Sequence, residues 1–382
     1  MDRREKEQLL ATIRAAESCG EPVALATIVR VRGSAYRREG TRMVVRSDGS
    51  YECALSGGCL EPAVADAASQ VIATGHPVVV TYDLADDSIW GLGIGCSGAV
   101  DVRIERAGDD PLTVEWLGVL ERDEAAAVVT PLPSEASSDL DGHRLDPSRR
   151  LLVHNGGETR GSLGDPAVDR AAAEHSLERL KAPHPTSATE RIGSAEFFIE
   201  VNAPAPDLVV FGAGYDAVPM TRLAWALGFD VTVVDVREAF LTADRFPHAS
   251  RVAADFRQLG AAVTLTAGTL VVVMNHHIER DQESLRFALE SPAEYVGVLG
   301  PRTRLDRLLA GLAERGYTPA ASVLERVRNP IGLSVGAETP SEVALSVLGE
   351  ILAIVRGFDG GFLTGWLGSL HHPDDKRVLA RS

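Results

Sequence analysis

A short apolar strand that runs directly into a glycine turn and a helix constrains this chain more than any other feature. Residues 208–211 form the apolar run, and Gly212, Gly214 and Ala217 follow in a G-x-G-x-x-A pattern that opens a helical segment ending at Gly228. The first glycine allows a tight bend, the second lets a pyrophosphate approach the backbone, and the alanine lets the helix pack closely on the strand. This order of elements predicts a Rossmann-type nucleotide-binding unit.

The C-terminal half continues the same alternation of strand and helix. Further short apolar runs occur at Val231–Asp235, Thr269–Met274 and Tyr295–Leu299. Parallel strands separated by helices need crossover connections, so we predict a doubly wound, mostly parallel sheet. A late helix is predicted to begin after Thr339, because Thr339 and Glu342 have the spacing of a capping box.

The N-terminal half contains a degenerate internal repeat, which predicts a duplicated α/β unit. The corresponding segments are Glu21–Thr27 with Glu124–Thr130, Arg42–Gly49 with Arg150–Gly157, and Leu55–Val64 with Leu163–Val168. The last pair differs in length by four residues, and the residues missing from the second copy include a cysteine, Cys59. If both copies pack alike, the turn formed by Ser56, Gly57, Gly58 and Cys59 serves a function rather than the fold. The alternative is an accident of loop length.

A proline-rich segment separates the two halves. Two prolines within Asn202–Asp207 forbid a helix and indicate a short, stiff linker. We therefore predict an N-terminal α/β domain over residues 1–201, a linker over 202–207, a Rossmann-like domain over 208–356 and a C-terminal tail over 357–382.

Charge and composition exclude several classes of protein. The net charge of −16 repels nucleic acid and anionic membranes. Four cysteines in 382 residues are too few for a disulfide framework, and their spacing does not suit a structural zinc site. No apolar run approaches the roughly 20 residues of a membrane helix, and the first ten residues are too charged for a secretory signal. We expect a cytoplasmic protein with no integral membrane segment and no nucleic-acid partner.

Asp235 is the candidate nucleotide-selecting residue. It ends the strand after the glycine turn, 23 residues beyond Gly212, where a carboxylate accepts from a ribose hydroxyl. If a nicotinamide dinucleotide binds, Asp235 favours NAD over NADP, whose 2′-phosphate meets like charge, and Arg237 blunts this preference.

Other distinctive residues follow the later strands, whose carboxyl ends form the ligand crevice of a doubly wound sheet. His276 and His277 come after one strand, and Gly300, Arg302 and Arg304 come after the next, at the start of a helix. Backbone donors and two cations can meet an anion there. The alternative is that the histidines and arginines are ordinary exposed residues.

Two cysteines lie in glycine turns of the N-terminal half. Cys59 follows Gly57 and Gly58, and Cys96 lies in Gly91–Gly98, a stretch with four glycines. Such turns expose a thiolate to a metal, a sulfur donor or an oxidant. The alternative is that each cysteine packs as a small hydrophobic residue, which we expect for Cys53.

These tracts together resemble the XdhC/CoxI family of accessory factors for molybdenum hydroxylases such as xanthine dehydrogenase. The resemblance extends over nearly the whole chain, and the pairing of the Ser56–Glu61 tract with Tyr295–Arg302 is specific to it. Asn275 and Ser97 depart from the family pattern, which usually has threonine and glycine at these places. The other matching tracts are Gly33–Gly40, Gly93–Cys96, Phe211–Pro219, Val273–His276 and Gly336–Ala344.

The resemblance implies a protein that binds molybdenum cofactor, protects it during sulfuration and transfers it to an apo-hydroxylase. Its implied partners are a xanthine dehydrogenase-like molybdenum hydroxylase and a cysteine desulfurase, and a homodimer is expected from the family alone. The glycine turn at Gly212 and the helix start at Arg302 and Arg304 would hold phosphate groups. The soft thiolate of Cys59 would lie near the molybdenum centre.

Two other functions stay open. One is an NAD(P)-dependent oxidoreductase in which His276 or His277 acts as the acid/base group, and the other is an NAD-binding sensor. Whether the chain is an enzyme is left undecided; if it is one, Cys59, Cys96 and His276 are the candidate catalytic residues. The maturation chaperone is favoured because it alone uses the unusual tracts of both halves.

Overall fold

The computed structural model describes residues 3–33, 35–84, 98–132, 146, 149–182 and 185–364. The chain divides into two compact units, Met1–Pro204 and Ala205–Ser382. Within the described ranges, every helix is too short or too polar to cross a lipid bilayer.

The first unit alternates helices with antiparallel strands. Its helices are α1 (Arg3–Ser18), α2 (Glu61–Thr74), α3 (Pro111–Arg122) and α4 (Pro166–Leu180). Its strands are β1 (Ala24–Arg32), β2 (Arg42–Val45), β3 (Tyr51–Glu52), β4 (Val78–Asp83), β5 (Ala99–Arg106), β6 (Ala126–Pro131), β7 (Leu151–His154), β8 (Thr159–Gly161), β9 (Ala188–Ile192) and β10 (Ala195–Asn202).

The predicted internal repeat is confirmed as a duplication of a whole sheet. The first copy, β1–β5 with α2, forms a five-stranded sheet in the order β3-β2-β1-β5-β4. The second copy, β6–β10 with α4, forms a five-stranded sheet in the matching order β8-β7-β6-β10-β9. A helix precedes each copy, α1 before β1 and α3 before β6. The degenerate repeat therefore reflects two copies of one folding unit.

The alternation of side chains along each strand explains how the copies pack. On β1, Ala24, Ala26 and Ile28 belong to the core beneath α2. Leu25, on the opposite face, belongs to a second core that also contains residues of α1 and α3 together with Val128 of β6. Each sheet therefore buries one face under its own helix and the other in a core shared with its duplicate.

Two reciprocal ion pairs cross the shared core. Arg42 of the first copy binds Glu200 of the second, and Arg150 of the second copy binds Glu105 of the first, with Nη1 3.0 Å from Oε1. The register makes these pairs equivalent, because Glu105 lies opposite Leu25 on β1, just as Glu200 lies opposite Val128 on β6. All four side chains are at most 10% exposed. The duplication therefore carries a buried, pseudosymmetric charge layer.

The second unit has the predicted parallel sheet. Its strands are β11 (Asp207–Phe211), β12 (Asp230–Asp235), β13 (Ala249–Ala253), β14 (Leu270–Val273), β15 (Tyr295–Val298) and β16 (Val327–Arg328). Its helices are α5 (Ala217–Ala226), α6 (Ile278–Glu290), α7 (Arg302–Glu314), α8 (Ala321–Leu324) and α9 (Pro340–Val355), with short 3₁₀ turns at Glu238–Phe240 and Leu259–Ala261.

The order of these strands is β13-β12-β11-β14-β15-β16, and every neighbouring pair is parallel. This is the 3-2-1-4-5-6 order of a Rossmann sheet, so the predicted fold of the C-terminal half is confirmed. The strand order reverses between β11 and β14, which places the ligand crevice between Gly212 and the residues after Val273. The predicted capping box of Thr339 and Glu342 begins α9.

Candidate functional site

The turn that carries Cys59 is organised by Ser56. The Ser56 hydroxyl oxygen accepts hydrogen bonds from the amides of Gly58, Cys59 and Leu60, at 3.2, 3.1 and 3.1 Å. The Cys59 sulfur lies 3.3 Å from the same oxygen. The thiol is partly buried, and its sulfur is not engaged in a disulfide. One hydroxyl group therefore fixes the backbone that presents the thiol.

Glu61 completes the turn from the first residue of α2. Its carboxylate accepts from the Ser56 amide and from the Ser56 hydroxyl, both at 2.7 Å. Glu61 is only 1% exposed. A buried carboxylate that lost these donors would be left desolvated without compensation. The Ser56–Glu61 pair therefore locks the turn to the helix.

A cavity of about 510 Å³ opens beside this turn. Its walls include Cys59, Leu55, Leu84, Tyr36 and Arg37. Tyr36 is 72% exposed at the rim, and the Arg37 guanidinium forms an ion pair with Glu5 of α1. The volume lies within the range of about 300–1,000 Å³ that is typical of small-molecule sites.

The second copy has a shorter and simpler turn at the equivalent place. The Ser162 hydroxyl donates to Asp169 at 2.7 Å, and the Leu163 amide donates to the other carboxylate oxygen of Asp169 at 2.6 Å. Asp165 then caps α4 by accepting from the Ala167 amide. A serine and a carboxylate thus close the turn in both copies, but only the first copy has a thiol there.

In the second unit, Gly212 lies where β11 meets β14. Its φ angle is +118°, and an added Cβ atom would lie 2.7 Å from the Cα atom of Asn275. A side chain at this position is therefore excluded by both backbone conformation and space. Gly214 is different, because the nearest atom to an added Cβ would be the Cδ2 atom of His276 at 3.7 Å. Ala217 is fully buried at the start of α5.

His276 lies over the glycine turn in an unusual conformation. Its φ angle is +56°, in the left-handed region that non-glycine residues seldom adopt. Its Nε2 atom lies 3.1 Å from an Asp216 carboxylate oxygen at the N-terminus of α5. His277 is the exposed N-cap residue of α6 and makes no side-chain cap hydrogen bond. The crevice thus has a histidine–aspartate pair at its mouth.

Asp235 lies at the crevice, but its carboxylate is already engaged. One oxygen accepts from the Arg237 amide at 2.8 Å and from Arg237 Nε at 2.9 Å. The other accepts from the Ala213 amide and from Arg237 Nη2, both at 2.7 Å. Burial would raise the pKa of the Asp235 carboxyl, but the hydrogen bonds from Arg237 and Ala213 outweigh it, so the pKa is lowered. A ribose contact by Asp235 requires a donor to leave, so this role stays a prediction.

The arginines after β15 have different surroundings. Arg304 forms an ion pair with Asp281, whose carboxylate also accepts from the Asn275 amide at 2.9 Å. Arg302 is largely exposed and lies 3.3 Å from Asp306. Arg304 therefore connects the start of α7 to α6 through Asp281, whereas Arg302 extends into solvent. Their predicted role as anion ligands is not tested.

Sequence reasoning did not identify several residues that shape these sites. Arg245 donates to the carbonyl oxygens of Ala213 and Gly214 at 2.8 and 3.0 Å and so stabilises the glycine turn. Asp216 and Glu61 were also missed as partners of His276 and Ser56. Glu61 had a signal in the sequence, since it follows the serine of the turn by five residues; Arg245 had none, because it lies in a loop far along the chain.

Cys96 and the glycines at positions 91, 93 and 95 lie outside the described residues, whereas Gly98 is described. Among the residues that are described, no cluster of three or more His, Cys, Asp or Glu side chains has the arrangement of a metal site.

Comparison with known proteins links both units to one family. A family model described as the XdhC Rossmann domain matches residues 208–351, and one described as the XdhC and CoxI family matches residues 16–83. A Bacillus subtilis protein, named as a probable subunit of xanthine dehydrogenase, is 33% identical over 344 residues, which cover 87% of this chain and 93% of that protein.

Two further proteins are similar over most of the chain. The Escherichia coli protein named molybdenum cofactor insertion chaperone PaoD is 25% identical over 337 residues, which cover 88% of this chain and 84% of that protein. A crystal structure from Bacillus halodurans, described as a xanthine dehydrogenase, has a TM-score of 0.72 and 28% identity, with 92% of this chain and 96% of that chain covered.

Proposed function

The chain belongs to the XdhC and CoxI family, and from that premise we propose that it binds molybdenum cofactor and assists its maturation and insertion into a xanthine dehydrogenase-type hydroxylase. The names of its curated relatives support this role, since one is named as part of a xanthine dehydrogenase and another as a molybdenum cofactor insertion chaperone. The finer steps of the proposal are sulfuration of the bound cofactor, with a cysteine desulfurase as sulfur donor, and transfer to the apo-hydroxylase.

The observation that carries the proposal is the Cys59 turn in the first copy. The duplicate forms the same sheet with a turn that is four residues shorter and has no thiol. The longer turn uses a buried carboxylate, Glu61, and a hydroxyl, Ser56, to hold Cys59 at the wall of the cavity. Since folding does not demand this arrangement, we assign it to ligand handling.

The polar groups around the cavity suit the metal and pterin end of the cofactor rather than its phosphate. The amides of Gly58, Cys59 and Leu60 are taken up by Ser56, so they are not free to bind an anion. Arg37 is paired with Glu5. Among the side chains of the described lining residues, this leaves the thiol of Cys59, the exposed ring of Tyr36 and apolar groups. Molybdenum cofactor supplies a sulfur-coordinated metal on a planar pterin, and a soft thiolate suits such a centre.

For the second unit, considered by itself, we propose a phosphate-binding site. The glycine turn at Gly212 and Gly214 precedes the N-terminus of α5, and the described part of the chain supplies no acceptor for the amides of Gly214 and Tyr215. Amides at such a position, with the positive end of the helix dipole, favour an anion. His276 and Asp216 lie at the same mouth, and we assign them to contact with the ligand.

Replacement of Cys59 by serine tests the proposal most directly. We expect Cys59→Ser to change the free energy of unfolding by no more than about 0.5 kcal/mol, because size and backbone are kept. It should strongly reduce the hydroxylase activity recovered when the protein, cofactor and a sulfur donor are mixed with apo-hydroxylase. Cys53→Ser is the control and should recover the activity. Full activation by Cys59→Ser would remove the thiol from cofactor handling, and unfolding would show that its role is structural.

A matched pair at Gly214 tests the second unit. Gly214→Ala should keep the fold, since the nearest protein atom to its Cβ is 3.7 Å away, and should weaken binding less than a branched side chain does. Gly214→Val should lose binding while the protein stays folded, because a branched side chain fills the space of the phosphate. Titration calorimetry with purified cofactor measures both. Equal affinity of the two variants would exclude the glycine turn from the site.

An NAD(P)-dependent oxidoreductase is the second candidate, and the Rossmann strand order with the His276–Asp216 pair favours it. A histidine oriented by a carboxylate is suited to acid/base work beside a nicotinamide. The ligand that copurifies with the protein separates the two functions: an oxidised pterin is identified by its fluorescence and a reduced nicotinamide by its absorbance. If NAD binds, tighter binding of NADP would show that Asp235 is not a ribose ligand.

A further inference from the structure

A small cavity lies inside the charge layer that the two copies of the first unit share. Its volume is about 20 Å³, which is enough for one particle of the size of a water molecule. Equivalent residues of both copies line it, Arg42 with Arg150 and Glu105 with Glu200. The cavity is therefore walled by charged side chains from both halves of the duplication.

Trp116 of α3 brings an unpaired donor to the cavity wall. Its side chain is only 2% exposed and lines the cavity. Its Nε1 atom is buried and has no hydrogen-bond partner among the described residues. An indole N–H can only donate, and buried polar groups in native proteins nearly always have a partner. The partner of Trp116 is therefore expected to be a bound species that accepts a hydrogen bond.

The two equivalent arginines of the charge layer add donors of the same kind. Arg42 binds Glu200 through Nη2, and Arg150 binds Glu105 through both Nη atoms. The Nε atom of each arginine is buried and lacks a partner in the described part of the chain. A guanidinium Nε–H, like the indole N–H, donates and cannot accept. The unpaired groups of Arg42, Arg150 and Trp116 thus all call for an acceptor.

We propose that this cavity is a binding site for one chloride-sized monovalent anion, held between the two copies. A halide ion only accepts hydrogen bonds, whereas a water molecule brings two protons that need acceptors of their own. The charged residues in the described lining favour an anion, since Arg42, Arg103 and Arg150 stand against Glu105 and Glu200. The small volume excludes larger anions such as sulfate and phosphate.

The glutamates of the layer are compatible with an anion because their carboxylates are engaged by cations. Glu105 accepts from Arg150, and also from Arg103 and Thr113 at 3.2 Å each. Glu200 is bound by Arg42. The anion would join donors of the first copy, the second copy and α3. The inference does not depend on the proposed function, since the cavity contains no residue of the Cys59 turn.

The test compares the full chain in sodium chloride and in sodium gluconate at equal ionic strength. An ion that binds only the native state raises the unfolding temperature, by roughly 3–6 °C for a unit of this size when its concentration exceeds the dissociation constant about tenfold. We expect chloride and bromide to give such a shift, which saturates with concentration, and gluconate to give none. Crystals grown in bromide should show an anomalous scattering peak inside the cavity.

A matched pair of tryptophan variants ties the shift to the cavity. Trp116→Phe keeps an aromatic ring but removes the donor, and it should lose most of the chloride-dependent shift whatever its effect on stability. Trp225→Phe is the control, because Trp225 of α5 stacks on His248 in the second unit, and it should keep the whole shift.

Three results would overturn the proposal. The first is an unfolding temperature that is equal in chloride and gluconate, and the second is a full chloride shift in folded Trp116→Phe. The third is a bromide derivative without a peak in the cavity, which would identify the bound species as water. A peak without a shift in solution would show binding at crystal concentration only, and it counts against the proposal as well. The bromide measurement uses the wild-type chain, so a folding defect in the variant leaves the answer intact.

Discussion

The two copies in the first unit share a sheet order, a covering helix and a reciprocal pair of buried ion pairs, but they differ at one turn. Arg42 and Arg150 lie at the start of equivalent strands and bind the glutamate of the opposite copy. The turn before α2 carries Cys59 and borders a cavity, whereas the turn before α4 is shorter and closed by Ser162 and Asp169.

The comparison separates what the fold requires from what it tolerates. The features kept in both copies are explained by packing, since they lie in the core under each covering helix or in the core that the two sheets share. Features found in only one copy survive without the same packing reason. The Cys59 turn belongs to this second group, which is why it leads to a proposal about binding. Three sets of substitutions, in order of decreasing effect on stability, can break or sharpen this division.

The largest effect is expected for the shared ion pairs. Arg150→Met should lower the free energy of unfolding by about 3 kcal/mol, the low end for a broken buried pair, because Glu105 loses its bidentate partner but keeps Arg103 and Thr113, each 3.2 Å away. Arg42→Met, at the equivalent position, should also destabilise strongly through Glu200. Urea unfolding measures both, with the exposed pair Arg122–Glu124 as the control: Arg122→Met should change the free energy of unfolding far less, because water screens that pair. A small loss in Arg150→Met would show that the charge layer is not needed by the fold.

An intermediate effect is expected at the two serine–carboxylate turns. Glu61→Gln should cost about 1–3 kcal/mol, because the amide leaves one of two buried Ser56 donors without an acceptor. Asp169→Asn in the second copy should cost less, since the Ser162 side is exposed and water replaces the lost acceptor. Thermal unfolding of the two variants gives the difference. If Asp169→Asn lowers the unfolding temperature more than Glu61→Gln does, the Ser56–Glu61 hydrogen bonds do not stabilise their turn more than the Ser162–Asp169 bonds stabilise theirs.

The smallest effect concerns acid stability and Asp110, the N-cap residue of α3. Burial would raise the pKa of the Asp110 carboxyl, but the Leu112 amide and Arg150 outweigh it, and the pKa is lowered. A carboxyl with a lowered folded-state pKa stabilises the fold above its unfolded value of about 4 and loses this contribution as pH falls through the folded value. Asp110→Asn keeps a helix cap but should flatten the loss of stability below about pH 4. The free energy of unfolding is measured by urea at several pH values. If it falls as steeply below about pH 4 in Asp110→Asn as in the wild type, the prediction is wrong.

Local patterns in the sequence were sufficient for much of the fold. The G-x-G-x-x-A turn, the alternation of apolar runs with helical segments and the capping box at Thr339 each depend on residues close together in the chain. The Rossmann sheet and the start of α9 follow from them. The duplicated unit was also predictable, because both copies keep recognisable strands. The XdhC/CoxI family was recognised on the same tracts, and the comparisons confirm it.

Only the tertiary structure decided which of the candidate groups are free to act. Asp235 ends its strand as predicted, but whether its carboxylate is available depends on Arg237 and on the Ala213 amide. Arg304 binds Asp281 from another helix, and the amides of the Cys59 turn are used by Ser56. The sequence by itself determined the elements and the residue types, because propensities and periodicity act over a few residues; the tertiary structure determined the partners, because hydrogen bonds and ion pairs form between segments that folding brings together.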